Sequence, residues 1–203
     1  MKITKAVFIH FVIVTCILFS AKSYSQNWDI NLLKSINPQN PNSAVMQGFT
    51  GSAYPIGAAV PAIQLVAGYA SGNKLLQRQG WETVGSLAIT VVIAEGLKYG
   101  VNRQRPYEKY SFIHPYDASE TGQSFPSGHT SIAFATATSL ALEYKKWYVV
   151  VPAYVWAAGV GYSRLYQGEH YPSDVIAGAV VGAGSAVLSH WLTAKLFKYK
   201  GVK

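Results

Sequence analysis

The sequence predicts an all-α protein, a bundle of about five to six apolar helices embedded in a membrane. Half of the 203 residues are hydrophobic and 13% are charged, against about 25% charged residues in a typical soluble domain. The apolar residues gather in five segments rich in Ala, Gly, Ser and Thr, which let helices approach one another closely. The basic residues lie in small groups between these segments, as in membrane proteins.

Residues 1–25 are typical of a signal peptide or of an uncleaved signal anchor. Two lysines precede an apolar stretch at residues 6–19, and serines at positions 23 and 25 suit the positions that signal peptidase recognises. Either interpretation delivers the following chain outside the cytoplasm. Cys16, the single cysteine, lies in this stretch, so no intramolecular disulfide can form.

Residues 26–52 are predicted to form an N-terminal periplasmic segment that contains a short amphipathic helix. Trp28, Leu32, Leu33 and Ile36 follow helical spacing. The Asn- and Pro-rich stretch at 37–42 is turn chemistry that ends this helix.

Five apolar segments follow, and together they define a predicted domain at residues 53–195, with a basic tail at 196–203. A membrane-spanning helix needs about 20 residues, so several of these segments are short for lipid and suit core helices as well. The segments cover approximately residues 53–70, 82–97, 130–142, 147–162 and 175–192.

Charge placement predicts the topology. With the N-terminus in the cytoplasm, ten of the 17 basic residues fall on the cytoplasmic side, which is the positive-inside pattern. These ten are Lys2, Lys5, Lys74, Arg78, Lys145, Lys146, Lys195, Lys198, Lys200 and Lys203. Trp81, Trp147 and Trp191 lie at the same ends, as in an aromatic belt. The connections at 98–129 and 163–174 then share the outer side.

Three motifs occupy those two outer connections. They are Lys98-(six residues)-Arg105-Pro106, Pro126-Ser127-Gly128-His129, and Ser163-Arg164-(five residues)-His170-(three residues)-Asp174. This set of cations, histidines, one carboxylate and a Gly-containing turn suits the capture of a phosphate and the transfer of its phosphoryl group to a histidine.

The individual residue types support that chemistry. Arg105 and Arg164 can each hold a phosphate through two parallel N–H bonds, and Lys98 adds a point charge. Ser127 can donate a hydroxyl bond, and Gly128 lets the backbone approach a ligand at the start of a helix, where N–H groups attract anions.

His170 and Asp174 are four residues apart, with Pro172 suited to the first turn of a helix. Asp174 can then hold one imidazole nitrogen and leave the other as a nucleophile. The alternative is an exposed loop histidine beside a capping aspartate.

Other chemistries have less support. Glu169, His129, His170 and Asp174 are metal-ligand types, but their spacing matches no zinc pattern, and the three cations would repel a divalent ion. There is no P-loop and no Gly-x-Gly-x-x-Gly. The net charge of +8 is not concentrated with aromatic residues, so a nucleic-acid partner is not expected.

The three motifs, complete and in order, resemble those of the type 2 phosphatidic acid phosphatase (PAP2) superfamily over about residues 50–195. The resemblance implies an all-helical, cofactor-free phosphatase that forms a phosphohistidine. It further implies that His170 is the nucleophile, Asp174 its orienting partner and His129 the general acid. The implied phosphate-binding residues are Lys98, Arg105, Ser127, Gly128 and Arg164.

The resemblance also implies a membrane-lipid phosphate as substrate, in the inner membrane of a bacterial envelope with the site facing the periplasm, and no obligate protein partner. Candidate lipids are undecaprenyl pyrophosphate, phosphatidic acid, phosphatidylglycerophosphate and lipid A. Integral members usually have six spans, whereas cleavage after residue 25 leaves five here. The alternatives are a soluble periplasmic acid phosphatase of broad specificity, a non-catalytic lipid-phosphate binding protein and a vanadate-dependent haloperoxidase.

Overall fold

The fold is all-helical, as the apolar segments predict. A computed structural model describes residues 25–199, with side chains from 28 to 195, and contains no strand within that range. The helices are α1 Ser25–Ile36, α2 Ala44–Ala70, α3 Lys74–Val101, α4 Pro106–Lys109, α5 Gly128–Tyr144, α6 Trp147–Tyr166 and α7 Pro172–Tyr199. The predicted signal segment, apart from its last residue, lies outside the described residues.

The helix ends differ from the sequence-based boundaries at two places. Helix α2 begins at Ala44, nine residues before the predicted domain start at 53, because no breaker separates Ser43 from the apolar segment. Helix α7 continues to Tyr199, four residues into the predicted basic tail.

Helix α1 forms as predicted, but the apolar residues expected on one face are divided, because Leu33 and Ile36 pack inward whereas Trp28 and Leu32 do not. Ile30 and Leu33 are buried in a cluster with Ile113, Leu165 and Tyr171. On the opposite face of α1, Trp28 and Leu32 are exposed. The helix therefore packs against Leu165 and Tyr171, which flank the loop that carries His170 of the third motif.

Helices α5 and α7 form the tightest contact of the bundle. A Cβ on Gly178 would lie 2.7 Å from the Ser127 carbonyl oxygen, and one on Gly182 would lie 2.1 Å from the Ser131 carbonyl oxygen. Only glycine permits this backbone approach. The Ser127 N–H accordingly donates to the Asp174 carbonyl oxygen at 3.1 Å, which joins the second motif to the third.

Three helical stretches are long and apolar enough to cross a membrane: Ala44–Ala70, Lys74–Lys109 and Pro172–Lys195. Large apolar side chains such as Ile63, Val66 and Val92 are 67–72% exposed on α2 and α3, a surface suited to lipid. Helix α5 instead lies in the interior, and most of its first twelve residues are buried. The chain is an integral membrane protein.

The bundle end that the sequence analysis assigns to the cytoplasm holds a buried polar cluster. The Gln64 amide donates to Glu143 at 2.6 Å, and the Thr83 hydroxyl donates to the other Glu143 oxygen at 2.8 Å. Beside them, His190 Nδ1 bonds to the Glu82 carboxylate. These five residues, the basal cluster, connect α2, α3, α5 and α7.

Candidate active site

Arg105 and Arg164, the two predicted phosphate-binding arginines, converge on one carboxylate at the opposite end of the bundle. Arg105 Nη2 lies 3.2 Å from Glu120 Oε1, and Arg164 Nη2 lies 2.5 Å from Glu120 Oε2. Both arginines are at most 4% exposed. The two guanidinium groups are therefore spaced to share a single small anion.

Each arginine has further contacts that fix its orientation. Arg105 also donates to the carbonyl and carboxylate oxygens of Glu169, at 3.2 and 3.3 Å. Arg164 Nη1 donates to Gln167 Oε1 at 3.2 Å, but the buried Arg164 Nε has no hydrogen-bond partner among the described side chains and backbone. A buried N–H without an acceptor is costly, so this donor is suited to a ligand oxygen.

Lys98, the third predicted cation, reaches the second motif from the end of α3. A Cβ on Gly128 would lie 3.9 Å from Lys98 Nζ and 3.1 Å from the Tyr54 hydroxyl. Lys98 also pairs with Glu95 at 3.0 Å. Tyr54, to which the sequence analysis gave no role, packs edge-on against His129 with ring centroids 4.6 Å apart.

Ser127 precedes α5 as its N-cap but does not use its side chain to cap the helix. Its hydroxyl oxygen accepts from Thr130 Oγ1 at 3.0 Å, so its own proton remains available to an anion. Gly128 opens α5, where the first N–H groups of a helix have no intrahelical acceptor. Ser127, Gly128 and His129 therefore present donors at one helix start.

His170 is held by a group that the sequence analysis missed. Its Nδ1 lies 2.8 Å from the Ser124 carbonyl oxygen and 3.6 Å from Asp174 Oδ2. A carbonyl only accepts, so Nδ1 carries the proton and Nε2 is left unprotonated. Asp174 lies beside the ring as expected, but the direct hydrogen bond goes to the backbone of Ser124.

Burial and positive charge keep both site histidines neutral. Burial lowers the pKa of His170 to about 4, and the charge of Arg164 contributes, whereas Asp174 opposes the shift. Burial likewise lowers the pKa of His129 to about 3, again with help from Arg164. Cations beside a neutral imidazole favour its nucleophilic form.

The pKa values of Glu120 and Glu169, two carboxylates of the site, are shifted in opposite directions. Burial raises the pKa of Glu120, but Arg164 and Arg105 outweigh it and hold that pKa at about 2. Burial raises the pKa of Glu169 to about 7 although the Asp117 N–H donates to it. Glu120 is thus an anion at neutral pH, while Glu169 titrates near neutrality.

Metal-ligand side chains do not cluster in this region. Across the described side chains, no group of three or more His, Cys, Asp or Glu residues is arranged to hold a metal ion. Glu169, one of the residues considered from sequence, is instead bound to Arg105 and to the backbone of Asp117.

The sequence of residues 79–198 matches the family model of the PAP2 superfamily. The chain belongs to this superfamily. The match contains all three motifs, helices α5 and α6, and all of α7 except its last residue. Several curated relatives are named as phosphatases or diphosphatases of lipid substrates.

Two curated relatives illustrate the range of substrates. The chain is 40% identical over 93 residues to a lipid A 1-phosphatase of Porphyromonas gingivalis, covering 44% of this chain and 21% of that protein. It is 34% identical over 116 residues to an undecaprenyl-diphosphatase of Sulfolobus acidocaldarius, covering 57% and 56%. The chain therefore spans between a fifth and just over half of these relatives.

Two solved structures share the fold. The crystal structure of Aquifex aeolicus LpxE superposes with a TM-score of 0.65 at 26% identity, over 80% of this chain and 94% of that one. A transmembrane PAP2-type phosphatidylglycerolphosphate phosphatase from Bacillus subtilis superposes with a TM-score of 0.69 at 23% identity, over 100% and 99%.

Proposed function

We propose that this PAP2 protein removes phosphate from a membrane lipid through a phosphohistidine on His170, without a metal ion, at the periplasmic face of the inner membrane. The observation that carries the proposal is the convergence of two buried arginines on one carboxylate, beside a histidine whose Nδ1 is committed to a carbonyl. An anion-sized site next to a neutral imidazole suits phosphoryl transfer.

In the first step, His170 Nε2 attacks phosphorus and the bond from phosphorus to the lipid oxygen breaks. His129 gives its proton to the leaving oxygen, which requires it to lie across the phosphoryl group from His170. Arg105, Arg164 and Lys98 stabilise the charge on the equatorial oxygens, with Ser127 and the Gly128 backbone. Asp174 supports the developing positive charge on His170.

In the second step, water attacks the phosphohistidine and the bond from phosphorus to Nε2 breaks. His129, now neutral, takes the proton of that water. Inorganic phosphate then leaves, and both histidines return to their starting states.

His129 must be protonated to act as the acid, although its pKa in the unliganded protein is about 3. A bound phosphate brings negative charge next to His129 and opposes the lowering by Arg164. We therefore expect the substrate itself to raise the pKa of His129. Substrate binding therefore comes before protonation, so His129 acquires its proton only when there is a phosphate to cleave.

Glu120 occupies the position that this mechanism gives to the phosphoryl oxygens, so substrate must displace it. The Glu120 side chain is 27% exposed and belongs to the connection between α4 and α5. The glutamate neutralises the arginines until substrate arrives.

A lipid A 1-phosphate is the first substrate to test, because the P. gingivalis relative is named as a lipid A 1-phosphatase. Undecaprenyl diphosphate is the second, from the archaeal relative. A soluble acid phosphatase is disfavoured by the exposed apolar faces of α2 and α3.

The test is phosphate release by purified protein in detergent with EDTA, from a panel of lipid phosphates and one soluble phosphoester. We expect release from one lipid class, unaffected by EDTA and absent in His170→Ala. Preference for the soluble ester, with recovery from membranes without detergent, would support an acid phosphatase. No release at all would contradict the phosphatase mechanism and favour lipid-phosphate binding, or halide oxidation with added vanadate.

A further inference from the structure

A largely buried charged network, of which the chemistry above uses only Asp174, lies behind the nucleophile. Arg103 Nη1 donates to Asp174 Oδ1 at 2.6 Å, and Arg103 Nη2 donates to Asp29 Oδ2 at 2.7 Å. Asp29 is 1% exposed and Asp174 is fully buried. Asp29 belongs to α1, outside residues 79–198 that match the family model.

The Arg103 guanidinium is fixed on several sides. Its Nη1 also donates to the Ser173 hydroxyl at 2.7 Å, and the group stacks 3.7 Å above the Tyr171 ring. Asp29 is held as firmly, because Ser173 donates to it from its backbone N–H at 2.8 Å and from its hydroxyl. A planar guanidinium held in this way cannot turn without breaking several contacts.

The network ends at the nucleophile. One oxygen of Asp174 accepts a hydrogen bond from Arg103. The other accepts a hydrogen bond from the Tyr171 N–H at 2.9 Å and lies 3.6 Å from His170 Nδ1. Charges therefore alternate from Asp29 to Arg103 to Asp174, and the last faces the imidazole. Alone, Arg103 would draw the negative potential of Asp174 away from His170, and Asp29 offsets this effect.

We propose that Asp29 and Arg103 are positioning residues that act through Asp174 on His170, so that helix α1 completes the active site. Docking alone does not account for Asp29, because Ile30 and Leu33 already anchor α1 in an apolar cluster. A buried carboxylate is costly unless it is paired, and here its partner leads directly to the nucleophile. The proposal rests on the phosphohistidine mechanism above.

The decisive measurement is the pH profile of kcat/KM for Asp29→Asn and Arg103→Gln against the unsubstituted protein. The acid limb reports the loss of a proton from His170 in the free enzyme. Removing the negative charge of Asp29 lowers the His170 pKa, so the limb moves to lower pH. Removing the positive charge of Arg103 raises that pKa, so the limb moves to higher pH.

Other ionisable groups near His170 are common to all variants and cancel in the comparison. They are Asp174 of α7, His129 of α5, Arg164 of α6 and the loop residues Arg105, Glu120 and Glu169. The ionisation of the substrate cancels in the same way.

The kinetic constants give a second readout. We expect kcat to fall about threefold to tenfold in Asp29→Asn and more in Arg103→Gln, with KM and inhibition by inorganic phosphate unchanged, because the phosphate-binding arginines are intact. The double variant should be no slower than Arg103→Gln alone, because both residues act through one route.

The controls separate positioning from folding. Leu33→Ala loosens the docking of α1 without changing a charge, so it should lower the melting temperature and leave the acid limb in place. Asp29→Glu keeps the charge and should keep the profile of the unsubstituted protein. If Asp29→Asn does not fold, Arg103→Gln still tests the predicted shift. Shifts in the same direction, no shift, or additive losses would overturn the proposal.

Failure of the underlying mechanism gives a different result. Turnover that survives in His170→Ala would rule out the phosphohistidine mechanism itself. If His170→Ala is inactive but the pH profiles of Asp29→Asn and Arg103→Gln are unshifted, only the positioning role is ruled out.

Discussion

The two ends of the helical bundle both hold buried or half-buried polar groups, but they use their hydrogen bonds differently. At the basal cluster, both oxygens of Glu143 receive donors, from Gln64 and Thr83. At the opposite end, which holds the candidate active site and is called the rim, Arg164 is 2% exposed, yet its Nε has no partner among the described residues. At the basal cluster the Glu143 oxygens are satisfied by donors of the same cluster. At the rim, a donor remains available to an incoming anion. The unpaired donor of a buried cation is what distinguishes the rim from the basal cluster.

The largest expected effect lies at the rim. His170→Ala should reduce phosphate release by at least about 10³-fold, because it removes the atom that forms the covalent intermediate. Trapping of radiolabelled phosphate on the denatured protein, present before substitution and absent after it, checks the intermediate. Measurable turnover in the variant would mean that another group is the nucleophile.

Arg164→Lys should cost about 10²-fold in kcat/KM, because lysine keeps the charge but cannot reproduce a planar donor pair. The matched control is Arg78→Lys at the other end, where the guanidinium lies 3.9 Å from Glu82. That control should leave kcat/KM within about twofold, because lysine keeps the positive charge and the pair lies at the end of the bundle opposite the site. Equal losses in the two variants would erase the distinction between the ends.

Glu120→Gln should lower both KM and the inhibition constant for inorganic phosphate by about threefold to tenfold. Glutamine keeps the size of the side chain but removes the charge that competes for Arg105 and Arg164. Because the Glu120 pKa is about 2, the effect should persist across the neutral pH range. Asp117→Asn removes a charge from the same loop without touching either arginine, and it should change neither constant. Weaker phosphate binding in Glu120→Gln would show that the glutamate assists binding.

Thr83→Ala in the basal cluster should have the smallest effect on activity and a clear effect on stability. It leaves one oxygen of Glu143 without its 2.8 Å donor, which costs about 1–3 kcal/mol. We expect a lower melting temperature in detergent and kcat within about twofold at temperatures where the protein is folded. A large loss of kcat would indicate that the basal end is coupled to the rim.

The sequence predicts the helices and the motif residues because both depend on residue type. Apolar segments locate the long helices, and the arginines and histidines are recognisable in order. It does not reveal the partner of His170, because a backbone carbonyl such as that of Ser124 leaves no sequence signal. Glu120 stands among several polar residues in one loop, and nothing local marks it as the residue that meets both arginines.

The basal cluster left a signal that the sequence analysis did not use. Gln64, Glu82 and Glu143 lie in or beside apolar segments, where isolated polar residues usually face a partner inside the bundle. Which helices supply the partners depends on packing, and that packing depends on the close contact at Gly178 and Gly182. Arg103 is a related case, because its two carboxylate partners lie 74 and 71 residues away.

The resident carboxylate of Glu120 also bears on the end of the catalytic cycle. A site built to bind phosphate tightly retains its own product, and a long residence time of free phosphate would then limit turnover. A tethered glutamate is present at a high effective concentration, so it can retake the arginines as soon as the product begins to leave. The glutamate that the substrate must displace would therefore also speed release of the product.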